Sequence, residues 1–191
     1  ILLDLGKQNN WSFVFSKNGS LFSEGYLKQF DAVLLYTTGN LLEAGTDKNP
    51  PMTPTGKDAL LAYVRNGGAL LGTHSASDTF HTNNESLKGP DRYLNHCEQA
   101  DPFIRCLGGE FIIHGEQQKA TVINTDRKFP GYELLEERYE LHEEWYSLKD
   151  FAGDLHVLGV IQSPQMHGTM YQRPPYPVTW ARYEGKGRVW Y

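Results

Sequence analysis

The sequence predicts an α/β protein built on a parallel sheet with helices on both faces. Three observations carry that expectation. Helix-patterned and strand-patterned segments alternate through residues 1–75, the signature of parallel strands joined by crossover helices. A short apolar run, Ala69, Leu70 and Leu71, follows a helix-patterned segment and reads as a buried parallel strand. The run breaks at Gly72 into a polar cluster holding His74, Ser75, Ser77, Asp78 and His81. In open α/β sheets ligands sit just beyond the carboxyl ends of such strands.

Taken in order, residues 1–8 pattern as the end of an amphipathic helix. The sequence starts without Met, so a preceding strand and the natural N-terminus are expected to lie outside it. Trp11, Phe13 and Phe15 alternate with their neighbours, a strand signal. Leu21, Phe22, Tyr26, Leu27 and Phe30 give a short helical pattern, and residues 31–36 a second buried strand that ends in the polar Thr37, Thr38, Gly39 and Asn40. After a loop over 50–54, Thr55 is expected to cap a helix over 56–65, with Leu60, Leu61 and Val64 on one face. Gly67 and Gly68 end it.

Residues 82–92 read as a polar loop, and 95–107 as partly helical, with Pro102 either interrupting a helix or opening a new one. The second half is richer in strands: 110–114, 120–124, a run of acidic and aromatic side chains over 139–146, 155–161, and a hairpin of 178–183 with 188–191 around Gly185 and Lys186.

Composition bounds the function. With 191 residues the chain is long enough for one domain with a real core, and a single domain over 1–191 is expected. A net charge of −5 without a Lys/Arg cluster argues against a nucleic-acid partner. No apolar run approaches the roughly 20 residues of a membrane helix. Aromatics at 13% suit a carbohydrate or planar-ligand site as well as ordinary packing. Cys97 and Cys106 form no CxxC or CxxCH motif, so zinc-ribbon, thioredoxin-type and c-haem readings lack support. They pair in an oxidising compartment or remain two thiols, and both a cytoplasmic and a periplasmic location stay open.

Four constellations carry candidate chemistry. His74, at the end of a buried strand, suits a general base or a metal ligand, with Asp78 to orient an imidazole and Ser75 and His81 nearby. Gly-x-Ser-x-Gly is absent, so a Ser-His-Asp triad is poorly supported. The alternative is a hydrogen-bonded loop capping the next helix. His114 ends the run Phe111, Ile112, Ile113. Together with His74 and a carboxylate it would suit a divalent metal such as zinc, although HExxH spacing is missing. On one strand His142 and Glu144 would share a face while Glu143 points away. A Glu beside Trp145 and Tyr146 has a route to a raised pKa and acid-base work, and a solvated acidic edge is the competing reading. Arg173 with Tyr171 and Tyr176 would line a pocket for a polyhydroxylated ligand or brace a rigid loop.

The chain resembles the trehalose utilisation (ThuA-like) family. The matching stretches are Gly67 and Gly68 through Gly72, Thr73, His74, Ser75 and Asp78; Leu107, Gly108, Gly109, Glu110 and Phe111 with His114; Glu143, Glu144, Trp145 and Tyr146; and Pro177 to Trp180 followed by Gly185 to Tyr191. The resemblance implies a flavodoxin-like three-layer sandwich akin to class I glutamine amidotransferases, with a central mostly parallel sheet and extra strands in the C-terminal half. It also implies a role in disaccharide or glycoside breakdown. Those amidotransferases carry a nucleophilic Cys at the turn that Gly72, Thr73 and His74 occupy here, so thiolate attack on glutamine is not expected. The family pattern continues past Tyr191, so a C-terminal end is expected outside this sequence. The expectation is an enzyme acting on a disaccharide or keto-glycoside, with His74, Asp78, His114 and Glu144 catalytic and Ser75, His81, Trp145, Tyr146 and Arg173 at the substrate. His74 and His114 double as candidate metal ligands. Self-association stays open, and a non-catalytic carbohydrate-binding or complex-forming module on the same scaffold is the alternative.

Overall fold

The computed structural model describes residues 1–45, 47–81 and 89–191. Most of the loop expected over 82–92 therefore lies outside the described residues. Among the described residues, four α-helices, α1 (Leu2–Asn9), α2 (Glu24–Leu27), α3 (Pro54–Arg65) and α4 (Pro102–Leu107), accompany nine strands. These are β1 (Ala32–Leu35), β2 (Ala69–Gly72), β3 (Glu110–His114), β4 (Gln118–Asn124), β5 (Arg138–Glu143), β6 (Tyr146–Lys149), β7 (His156–Ile161), β8 (Tyr176–Glu184) and β9 (Gly187–Trp190).

Seven strands form one curled sheet in the order β1-β2-β9-β8-β7-β4-β5, while β3 and β6 form a separate ribbon. The expectation of a mostly parallel sheet is corrected. Only β1 with β2 and β2 with β9 pair parallel; the other four pairings of the large sheet are antiparallel. For β8 and β9 the reason lies in the connection, since a tight turn can join only antiparallel strands and parallel pairs need long crossovers. Gly185 and Lys186 close the β8–β9 hairpin with two residues, whereas residues 36–68, which carry α3, connect the parallel strands β1 and β2.

The helices are also fewer than a three-layer sandwich needs. α3 packs on α2, α4 and β9, whereas α1 buries only Gly6. Residues 11–15 pair with no strand, and Trp11, Val14 and Phe15 are exposed. β1 is an edge strand in which only Leu35 is buried, where a fully buried strand was expected. The cap of α3 is Thr53, whose hydroxyl accepts from Gly56 N, with Pro54 in the first turn in place of the expected Thr55 cap. Pro102 opens α4 in the same way behind Asp101, the second of the two alternatives for that residue.

One apolar core joins α2, α3 and α4 to β1, β2, β8 and β9 through Leu60, Val64, Leu70, Phe103, Ile104, Leu107 and Trp180. A second joins β4, β7 and β8 through Val122, Ile161 and Tyr176, and takes in Trp145. The cysteines are free: Cys97 is exposed and Cys106 buried, where desolvation pushes the Cys106 thiol up to about 12.

Candidate functional site

β1 and β2 run parallel, so the residues after Leu35 and after Gly72 leave the sheet at the same end. At that end the chain turns sharply from β2 into a 3-10 helix, His74–Asp78. Gly72 permits the turn, because a Cβ there would approach Leu107 Cδ1 to 2.9 Å and Ala76 Cβ to 3.1 Å. His74 itself sits at φ 50°, a left-handed conformation that costs a non-glycine residue roughly 1–2 kcal/mol. Its carbonyl accepts a 2.7 Å bond from the Tyr191 hydroxyl, which also contacts Ser77 Oγ at 2.9 Å. Tyr191 is buried and stacks on the fully buried Trp180 at 4.5 Å. The strained histidine is thus held from beneath by the core.

The β3–β6 ribbon brings the remaining groups. His114 at the end of β3 lies in register with Tyr146 at the start of β6, and Glu144 lies two residues before Tyr146. His74 Nε2 lies 3.1 Å from Glu144 Oε2, and His114 Nδ1 lies 3.6 Å from Glu144 Oε1. One carboxylate therefore faces two imidazoles delivered by different strands, β2 and β3. His114 Nδ1 also donates to Gly115 O at 3.0 Å. A carbonyl only accepts, so this nitrogen carries a proton, and in the neutral ring Nε2 is the lone-pair side. The carboxylate contact likewise calls for a proton on His74 Nε2, which in the neutral ring leaves Nδ1 as the acceptor.

Tyr146 lies among them. Its ring stacks on His114 at 5.7 Å and meets His74 at 4.9 Å and Phe111 at 4.3 Å. Burial first, then the charges of Glu144, Asp78 and Tyr36, push its phenol up to about 12. It stays protonated across the neutral range and is a donor there.

Asp78 does not contact His74; the carboxylate beside that imidazole is Glu144. The Asp78 side chain accepts from Thr38 Oγ1 and pairs with His81 Nδ1 at 3.0 Å. The hydrogen bond to Asp78 outweighs desolvation and raises His81 to about 9, with a smaller contribution from buried Glu110. At neutral pH His81 and Asp78 form an ion pair. Ser75 is half-buried on the same turn.

Two expected ligand contacts lie elsewhere. Trp145 is 7% exposed, donates from Nε1 to Gln118 O at 2.9 Å and belongs to the second core. Arg173 donates to Ser147 Oγ and Leu148 O and lies 4.5 Å over the Tyr176 ring, bracing β6. Residues 139–146 are two strands with Glu144 and Trp145 at the break, so the shared face expected for His142 and Glu144 does not form. Sequence reasoning missed Thr38, Tyr36 and Tyr191. Only Thr38 had a signal, as a polar residue after a strand paired with the His74 strand. Among the described residues, no group of three or more His, Cys, Asp or Glu is arranged to hold a metal ion; the two imidazoles and Glu144 are turned to one another.

These features define an α/β protein with a mixed sheet and a histidine–carboxylate cluster beyond the carboxyl ends of its parallel strands. The chain belongs to the trehalose utilisation (ThuA) family, whose model matches residues 1–191. It is similar in structure to a ThuA-like protein from Bacteroides uniformis, at 17% identity and a TM-score of 0.69 over 99% of this chain and 70% of that one. A ThuA-like protein from Parabacteroides merdae matches at 16% identity and a TM-score of 0.57, over 97% of this chain and 69% of that one. A cytoplasmic protein from Salmonella typhimurium matches at 18% and 0.59, over 99% and 72%. No curated protein matches.

Proposed function

We propose that this protein is an acid-base enzyme acting on a carbohydrate derivative, a disaccharide or keto-glycoside, with Glu144 orienting His74 and His114. The observation that carries it is the meeting of three groups distant in sequence, His74, His114 and Glu144, at 3.1 and 3.6 Å beyond the sheet. His74 is held there in a strained backbone conformation, of the kind that clusters at functional sites. Both rings keep a lone pair for a substrate proton, His74 at Nδ1 and His114 at Nε2. Tyr146 stays neutral and donates to a developing oxyanion. That set suits removing a proton beside a sugar carbonyl and returning one. Glutamine amidotransfer is not part of the reading, since His74 occupies the turn where those enzymes place a thiol.

The test is turnover of oxidised and unoxidised disaccharides by the purified protein. His74→Ala is expected to lower turnover by about 10² to 10⁴-fold with the thermal midpoint nearly unchanged. Sugar binding without turnover in the wild type would favour the non-catalytic module. Among the described residues no three His, Cys, Asp or Glu are arranged to hold a metal ion, and no step of this reading runs through one. Near-stoichiometric zinc in the purified protein, lost in both His74→Ala and His114→Ala, would replace the acid-base reading.

A further inference from the structure

Beside the cluster, on the far side of His81, lies a cavity of about 140 Å³ lined by Asn40, Leu42, Lys57, Phe80, His81 and Asp101. Its polar groups keep unused hydrogen-bonding capacity. Lys57 Nζ donates to Asp101 at 2.6 Å and rests 4.1 Å over the Phe80 ring, which leaves protons of the ammonium group for another acceptor. His81 uses Nδ1 toward Asp78, and its Nε2–H meets no partner among the described residues. Asn40 gives one amide proton to Glu43 and accepts once from Leu42 N, so it keeps a further donor and a further lone pair. Leu42 and Phe80 supply the apolar share.

We propose that this cavity is a subsite for one neutral sugar ring, holding the second ring of a disaccharide whose reacting ring lies over His74, His114 and Glu144. Two kinds of ligand suit a cavity containing two cations, an anion or a polyol, and charge decides between them. Lys57 is 2.6 Å from Asp101 and His81 is 3.0 Å from Asp78. Each cation already faces its own carboxylate, so an incoming anion gains attraction from one charge and loses it to the other. A pair of neighbouring hydroxyls, which both donate and accept, matches the mixed donors and acceptors without paying that repulsion. Location supports the same assignment. Asp78 joins the two compartments, pairing with His81 on the cavity side while its charge acts on the Tyr146 phenol on the other.

The identity of the ligand as sugar rests on the proposed function, but the binding test is independent of turnover. Glucose, titrated into the protein in the millimolar range, is followed through the ring resonances of His81, assigned with His81→Gln. The expected result is a saturable shift that inorganic phosphate does not reproduce. Leu42→Trp, which fills the cavity, and Lys57→Met, which removes a donor, should each weaken glucose binding by about tenfold or more. Circular dichroism confirms that each variant is folded. A shift with phosphate and none with glucose, no shift with either, or glucose binding unchanged in both variants would overturn the subsite. Loss of turnover in His74→Ala alongside such a result would leave the acid-base reading standing. Glucose binding of the expected kind in a protein that turns over no sugar would sink the catalytic reading and keep the subsite.

Discussion

Two histidine–carboxylate pairs stand a few residues apart at the same end of the sheet and are built in opposite ways. His81 and Asp78 are three residues apart, on one turn, at 3.0 Å. His74 and Glu144 are 70 residues apart and meet at 3.1 Å only because the β3–β6 ribbon is docked against the end of β2. The local pair forms wherever that turn forms, and its strong proton affinity follows chiefly from one neighbour, Asp78. The long-range pair depends on everything beneath it. Damage to the core should therefore separate the two pairs, sparing the local one and disordering the other.

The variant expected to separate them most is Trp180→Ala. Trp180 is fully buried, donates to Leu107 O at 2.9 Å and stacks on Tyr191, whose hydroxyl holds the His74 carbonyl. Its ring also fills the space beside Gly109, where a Cβ would come within 2.8 Å of it, at the start of β3. One side chain thus supports both halves of the His74–Glu144 contact. Truncation is expected to destabilise the protein by about 3–5 kcal/mol, measured by urea unfolding. In the folded fraction the raised pKa of His81 should persist while turnover falls.

Tyr191→Phe is a smaller and sharper cut. The ring and its stacking stay, and only the hydroxyl between His74 O and Ser77 Oγ is lost. Leaving the His74 carbonyl without its donor and the buried Ser77 hydroxyl without its acceptor should cost about 1–2 kcal/mol. Because His74 occupies a left-handed backbone conformation, releasing its carbonyl should also lower the rate constant more than it raises KM. A stability loss with unchanged kinetics would mean that the ring alone holds His74 in place.

Which parts of this were legible in the sequence follows the same local and long-range division. The β2 strand, the polar turn after it and the β8–β9 hairpin were readable because runs of a few residues determine them: Ala69 to Gly72, and Gly185 with Lys186 between strands. His74, His114 and Glu144 were readable as candidates by residue type and position at strand ends. Their meeting was not, since the ribbon docking that brings them together has no short-range signature. The direction of the sheet was misjudged for a related reason. Helix–strand alternation in residues 1–75 speaks for parallel pairing, but the sheet is completed by strands of the second half that pair antiparallel, β8 and β9 across a two-residue turn. The strand expected at 11–15 shows the limit of an alternating pattern: side-chain alternation permits a strand, and only a neighbouring backbone makes one. Trp145 and Arg173 were placed at the ligand by chemical type, yet an indole and a guanidinium serve a core and a strand brace equally well.

The smallest expected effect tests the local pair alone. His81 has a folded-state pKa of about 9 against an ordinary 6.5. A raised value means that the folded state binds the proton more tightly, so the stability it contributes is full below pH 6.5 and lost as pH rises through 9. The wild type should therefore lose stability across that window by more than His81→Gln does, in thermal midpoints measured from pH 6 to pH 10. His81 is nearly half exposed, so water screens the pair and the difference should be modest. At pH 7 the variant should unfold at a slightly lower temperature, and by pH 10 the two curves should converge. Parallel curves would mean that Asp78 does not hold the His81 proton, and that Thr38 is its principal partner. The local pair would then resemble the long-range one in depending on a residue delivered by a distant element, here Thr38 after β1.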